Sequence, residues 1–526
     1  MGTISIWRQS TLFTIVDVVR QLVTTVANHA CHSLGWRAVS VRSGVRKFVG
    51  KSALLVCLAS AQLCFGFELG LHDPLFQLGS VPPSAASAMM AASPESHGCT
   101  EKPEATYTLL DVVENALCHN PKTKAAWANV KAQAAQVGVA KAAYLPTLIG
   151  SVQAIKDKST SQGTNVVPFY VASDSTYHND TLTLNWVLYD FGLRSATVDN
   201  AEKMLTSAMA SQDNVLQTVF ATAVKDYYAA LVAQKNIQAT TEIEADAKHV
   251  LDAATVRVQK GVAAMSDQLQ AKTAYVQAVF NRNKAEGDWQ SALGTLAIDM
   301  GQRPDNAVVL IESDNPAMRE SELVRSVGEL LQSAQKAHPS LIAARADMEA
   351  AQANEQVIRA QGRPSISLVG RYNANNQSQS AGVGQPYIGA NGRDRYIGVQ
   401  VDIPFFEGFS RTYKIRNAQA QVEGKEANLA DAELQVAVNV WTSYQSLKVS
   451  AENLRTSQDI LDSAHDAFKA AESRYQKGVA NILEVLTTQT ALANAQQQRI
   501  EALAGWQNAR IQLAASVGNL SLSTLR

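Results

Sequence analysis

The chain is 526 residues long, enough for two to four ordinary domains. Its 46 Lys and Arg against 47 Asp and Glu leave a formal charge of -1, so no basic excess points to a nucleic-acid partner. Charged residues are 18% and aromatics 6%, modest for a soluble enzyme, while abundant Ala and Gln favour long helices with small contact residues.

Residues 1–61 read as an N-terminal extension and signal peptide. Arg42, Arg46, Lys47 and Lys51 precede the apolar run Ala53–Cys64, and Ala59-Ser60-Ala61 supplies a small-x-small cleavage site. Gly50-Lys51-Ser52 is not a phosphate-binding loop, because Val45 stands where that loop needs its first glycine. Past this region no uncharged apolar run reaches the roughly 18 residues of a membrane helix. Cys31 and Cys57 lie within 1–61, and Cys64 ends the apolar run. Cys99 and Cys118 remain, an even pair suited to a disulfide in an oxidising compartment.

Residues 62–105 form a lead-in whose later part is rich in Pro, Ser and Ala. A first repeat occupies 106–300. Leu109, Val112, Val113, Ala116 and Leu117 make one helical face from Tyr107 onward. Asn120-Pro121 breaks it, and a second helix runs to about Ala143, where Tyr144-Leu145-Pro146 ends it. The period then changes to two. A strand is predicted at Leu148–Lys156, a polar loop at Asp157–Asp180 and a strand at Thr181–Leu188. That last strand puts Leu182, Leu184, Trp186 and Leu188 on one face and Thr183, Asn185 and Val187 on the other. A single helix follows to about Gln259, roughly 100 Å long at about 1.5 Å per residue. Gly261 breaks it, and a return helix spans about Ser266–Leu296.

The chain then repeats itself. Arg-Val-Gln-Lys-Gly-Val-Ala at 257–263 is answered by Arg-Tyr-Gln-Lys-Gly-Val-Ala at 474–480. His338-Pro339 answers Asn120-Pro121, and Arg363-Pro364 answers Leu145-Pro146, which marks Pro146 and Pro364 as helix–strand junctions. Strands are predicted at Ser365–Asn373 and Tyr396–Ile403 with a loop at Ala374–Arg395, then two more long helices that turn at Gly478. A linker at 301–322, a second repeat at 323–520 and a tail at 521–526 complete the division. The fold class is mainly α: duplicated long antiparallel helical hairpins plus four strands per chain.

Such short strand pairs cannot stand as an isolated sheet with bare edges. Strands of about ten tilted residues do cross a bilayer in a barrel, and four are too few for a pore, so several chains must share one. The nine histidines are scattered, and neither metal-ligand spacing nor an HExxH or G-x-S-x-G motif occurs. The sequence therefore names no catalytic residue, no metal site and no cofactor. A trimeric coiled-coil stalk would account for the helices but not for the strands or the duplication.

The order of elements, and the segments Trp186–Arg194 and Arg474–Leu486, resemble the TolC family of outer-membrane channel proteins over about residues 106–520. The resemblance implies a homotrimer with a twelve-stranded barrel in outer-membrane lipid and a twelve-helix periplasmic tunnel. It also implies a periplasmic adaptor and an inner-membrane pump of RND or ABC type as partners, with the hairpin-tip turns at Gly261 and Gly478 as adaptor contacts. Asp267, Tyr475, Glu484 and Thr487 fall at the family's periplasmic gate. Asp267 and Glu484 each lie six residues past a tip glycine. Glu484 matches acidic side chains that line the constriction, and Asp267 matches a residue that holds neighbouring helices, with Tyr475 among its partners. Thr487 replaces a second acidic ring and Ala480 a basic latch residue, which implies a weaker lock. Cys99 and Cys118 also match a pair found in part of the family. Multidrug efflux and type I protein secretion both use channels of this build. No residue ranks the cargo, and small-molecule efflux is favoured only as the commoner use.

Overall fold

The computed structural model describes residues 73–75, 77, 79, 81–82, 84, 106–163, 169–306, 308–311, 326–376, 379–380, 387–388 and 391–520. The signal segment and Cys99 lie outside these residues.

A short strand, β1 (Thr106–Tyr107), leads into α1 (Leu109–His119). Thr108 caps that helix: its Oγ1 accepts from the Asp111 amide at 3.3 Å, while Asp111 Oδ2 accepts from the Thr108 amide at 3.0 Å. Asn120 then caps α2 (Pro121–Ala142), accepting from the Lys122 amide at 2.9 Å, with Pro121 supplying the fixed φ of a first helical position. Two antiparallel strands follow, β2 (Thr147–Gly163) and β3 (Phe169–Tyr189). The 67-residue α3 (Leu193–Gln259) and the return helix α4 (Met265–Asp299) close the first half. In the linker, β4 (Val309–Leu310) pairs in parallel with β1.

The second half repeats the plan with α5 (Val327–Ala337), α6 (Pro339–Ala360), β5 (Ser365–Asn375), two short strands β6 (Gln379–Ser380) and β7 (Tyr387–Ile388), β8 (Gly392–Asp402), α7 (Ser410–Gln476) and α8 (Ile482–Val517). His338 takes the part of Asn120, its Nδ1 accepting from the Ser340 amide at 3.2 Å.

Within each half, two shorter helices lie end to end along the long one. Lys141 near the end of α2 pairs with Glu202 near the start of α3 at 3.0 Å. At the other end of α2, Asn120 Nδ2 donates to the Asp299 carbonyl at 3.1 Å, so α2 begins where α4 stops. The first hairpin packs through small residues, α4 lying on α3 of its own half. Buried Ala271, Ala278 and Ala285 recur every seven positions on α4, the spacing of a coiled-coil seam. Three apolar clusters mark the core: one around α1 and the middle of α3, one around α5 and the middle of α7, and one at the hairpin tips. From the lead-in, Pro82 accepts from Trp127 Nε1 at 3.0 Å and Gln77 from Lys141 Nζ at 3.0 Å, which fixes those residues on α2.

Three expectations change. The loop at Ala374–Arg395 carries strand, since β5 runs on to Asn375, β8 starts at Gly392, and β6 and β7 lie between them. The polar loop at Asp157–Asp180 is mostly strand: β2 and β3 pair without a break from Thr147↔Asn185 to Gly163↔Phe169. Its sequence shows no clean alternation of apolar and polar residues, and backbone pairing does not depend on one. Leu188 also leaves the face of Leu182, Leu184 and Trp186, since a bulge between Val187 and Tyr189 makes it the extra residue.

Candidate channel surfaces and hairpin tips

The strands form one antiparallel sheet in the order β2-β3-β5-β8. Its register separates a largely apolar face from a largely polar one. Leu148, Leu184 and Ile397 share a face with Val152, Leu182, Trp186, Leu368, Val399 and Val401. The opposite face is mostly polar, with Thr147, Ser151, Thr183, Asn185, Ser367, Arg371, Asn373 and Gln400, though Ile149, Val187, Val369 and Tyr396 also lie on it. In the single chain the apolar face is bare: Leu148 is 64%, Val399 63% and Ile397 71% exposed. Exposed aliphatics of this number on one sheet face mark a surface that something apolar must cover.

Pro146 and Pro364 each immediately precede a strand of this sheet, β2 and β5. The exits from the sheet into α3 and α7 are built alike. Phe191-Gly192 and Gly408-Phe409 both take positive φ on two successive residues, at 50° and 100° in the first half and 59° and 63° in the second. A buried ion pair holds the first corner. Arg194 Nε meets Asp190 Oδ2 at 2.9 Å, and its Nη1 donates to the Val187 carbonyl at 2.7 Å. Arg411 and Glu407 repeat the pair in the second half, and Arg363 Nη1 ties the corners together by donating to the Phe191 carbonyl at 2.7 Å.

At the far end, both heptapeptides fold into the same helix-ending turn. Gly261 (φ 71°) donates to the Val258 carbonyl and Val262 to that of Arg257, each at 3.0 Å. Gly478 (φ 80°) and Val479 do the same to Tyr475 and Arg474. The left-handed φ at the position just past the helix is the reason glycine stands there twice.

The arginines that open the two heptapeptides then diverge. Arg474 Nη1 turns to its own hairpin and meets Glu484 Oε1 at 2.8 Å. Arg257 crosses to the other hairpin, donating from Nη1 to the Tyr475 carbonyl at 2.7 Å with its guanidinium 4.7 Å from the Tyr475 ring centre. The Tyr475 ring is buried with Phe468, Ile482 and Val485, and its hydroxyl has no hydrogen-bond partner among the described residues. Burial pushes this phenol above its ordinary pKa; the Arg257 charge opposes that and the Asp267 charge adds to it. Asp267 itself accepts from Ser266 Oγ at 3.3 Å in the first turn of α4. Glu484 holds the matching place in α8, where Asn481 caps the helix by accepting from its amide at 2.9 Å. Thr487 Oγ1 is exposed and bonds back to the Leu483 carbonyl at 2.8 Å. Arg257 and Arg474 were visible in the repeated heptapeptide, but their different partners were not.

Cys118, in α1, is disulfide-bonded. Among the described residues no helix is long and apolar enough to cross a membrane, and no group of three or more His, Cys, Asp or Glu could hold a metal ion.

A two-faced antiparallel sheet beside a duplicated pair of long helical hairpins is the build of an outer-membrane channel. The family model described as outer membrane efflux protein matches residues 112–302 and 330–519, and the chain belongs to that family. Protein CyaE of Bordetella pertussis is 30% identical over 419 residues, covering 79% of this chain and 85% of its own. Outer membrane protein TolC of Escherichia coli is 23% identical over 429 residues, 78% of this chain and 82% of its own. The outer-membrane channel OprN has the same fold, with a TM-score of 0.67 at 21% identity, covering 78% of this chain and 90% of that one. The protein is thus a TolC-like channel of the outer membrane that extends into the periplasm, and not an enzyme.

Proposed function

We propose that three copies of the chain close a twelve-stranded barrel and a twelve-helix tunnel, forming the exit duct of a tripartite export system. The observation that carries this reading is the sheet. It has one largely apolar and one largely polar face, and its outer strands β2 and β8 each have one edge without a strand partner among the described residues. Edge pairing with the next copy would satisfy those backbone groups, lipid would cover the apolar face, and water would fill the polar lumen. The hairpin tips at Gly261 and Gly478 would meet a periplasmic adaptor, which links the duct to an inner-membrane pump of RND or ABC type. Asp267, Tyr475, Glu484 and Thr487 would line or lock the periplasmic constriction, and Cys99 would be the disulfide partner of Cys118. Purified protein should be trimeric by native mass and should conduct ions in planar bilayers. Trimers that never conduct would instead support a stalk.

The duct reading covers small-molecule efflux, favoured only as the commoner use, and type I protein secretion as the alternative. The neighbouring genes decide between them: an RND-type pump with its adaptor supports the first, an ABC exporter beside a repeat toxin the second.

A further inference from the structure

The two edge strands of the sheet carry a charge pattern that the inner strands lack. Lys156-Asp157-Lys158 lies on β2 and Arg393-Asp394-Arg395 on β8. Pro146 answers Pro364 and Arg194 answers Arg411, so the matching triplets are Ala374-Asn375-Asn376 after β2 and Thr176-Tyr177-His178 before β8. Those inner positions hold no Lys, Arg or Asp.

Alternation along a strand sorts these charges by face. Lys156 and Lys158 share the face of Leu148 and Val152, and Arg393 and Arg395 that of Ile397 and Val399. Asp157 and Asp394 fall on the other face. All four basic side chains are exposed, and none has an ion-pair partner among the described residues. Asp174 stands opposite Lys158 and Asp180 lies in the row of Arg393, so this end of the apolar face keeps four cations to two acids per copy.

Their height is the second observation. Lys156 lies nine positions from the helix end of β2 at Thr147, and Arg393 nine from that of β8 at Asp402. At about 3.4 Å per residue and a tilt of about 40°, that rise is roughly 23 Å, close to the ~25 Å of a barrel's apolar band. A cation on the lipid face is costly at the bilayer midplane and nearly free at the interface. The helices join the sheet at its opposite end, on the periplasmic side, so both triplets reach the headgroups of the outer leaflet.

We propose that Lys156 and Lys158 of one copy and Arg393 and Arg395 of the next form one site at each junction between copies, which holds the phosphates of an outer-leaflet glycolipid. The site rests on the barrel proposed above, in which β2 of one copy pairs with β8 of the next, and no copy completes it alone. Arginine offers phosphate a planar fork of two hydrogen bonds, and lysine adds a point charge. Two basic pairs on adjoining strands suit a headgroup that carries two phosphates. A lipid held there would bridge two copies.

Native mass spectrometry of the full-length protein in detergent tests this, with lipid A bearing two phosphates, one or none as probes. Wild-type trimers should bind the bisphosphorylated form about tenfold more tightly than the monophosphorylated one, and the form without phosphate weakest of all. Lys156→Gln with Lys158→Gln should weaken binding of the bisphosphorylated form about tenfold, and Arg393→Gln with Arg395→Gln at least as much. Asp157→Asn with Asp394→Asn, on the same strands but the other face, should leave it unchanged. Trimer mass and conductance in planar bilayers are followed for every variant, and the phosphate series on the wild type decides even where a variant fails to assemble. Conducting trimers that bind all three forms alike, or that bind the bisphosphorylated form equally without the four cations, overturn the lipid site and leave the barrel standing. A wild type that forms no trimer overturns the barrel and the site with it.

Discussion

Arg257 and Tyr475 join the two halves of the chain at the hairpin tips: one guanidinium donates to the Tyr475 carbonyl at 2.7 Å and lies 4.7 Å from the centre of its ring. This contact is charge-assisted and half-buried, so it holds the end of α3 against the end of α7 more firmly than a surface ion pair could.

Arg257→Ala should therefore separate the tips. The expected loss is about 1–2 kcal/mol of stability, together with a higher single-channel conductance in planar bilayers. Tyr475→Phe keeps the ring face and the carbonyl and removes only an unpartnered hydroxyl, so it should change conductance far less. If Tyr475→Phe opens the channel as much as Arg257→Ala, the hydroxyl has a partner outside the single chain and the Arg257 contact is secondary.

Glu484 and Arg474 offer a second contrast. Their exposed pair contributes less than about 1 kcal/mol, so removing either side chain should leave the melting temperature nearly unchanged. Reversal potentials should move in opposite directions: Glu484→Ala lowers cation preference by deleting one negative charge per copy, and Arg474→Ala raises it by unmasking that charge. Unchanged selectivity in both would place the constriction elsewhere.

Glycines with the same sign of φ should differ in their tolerance of a methyl group. Gly261 has φ 71° and open space where a Cβ would stand, so Gly261→Ala should cost about 1–2 kcal/mol of backbone strain. Gly301 has φ 72°, and there the added carbon would press on the His119 backbone. Thermal melts should show Gly301→Ala as clearly the worse variant; equal losses would mean that α1 moves away at little cost.

The two faces of the sheet can be read one residue apart. Spin labels at Leu184 and Asn185 in reconstituted protein should report lipid and water, respectively. Equal accessibility at both positions would reject the barrel.

Much of this molecule is determined locally and is legible in the chain. The near-identical heptapeptides, the Asn120-Pro121 and His338-Pro339 breaks and the change of period at Pro146 mark the elements, because capping, proline and left-handed glycine act over a few residues. The near-continuous helix to Gln259 and the apolar face of Leu182, Leu184 and Trp186 follow from periodicity alone. Tertiary structure decided what is settled by neighbours remote in sequence. The strands reach through 157–163 and 169–180 because backbone groups pair even where the sequence shows no clean alternation to read. Leu188 was displaced by a bulge that depends on β5. Arg257 and Arg474 begin the same heptapeptide and bond to different partners, since only the packing of one hairpin on the other brings Tyr475 within reach of Arg257. Asn120 and Asp299 stand 179 positions apart, and it is the end-to-end seating of α2 and α4 along α3 that lets the Asn120 side chain donate to the Asp299 carbonyl.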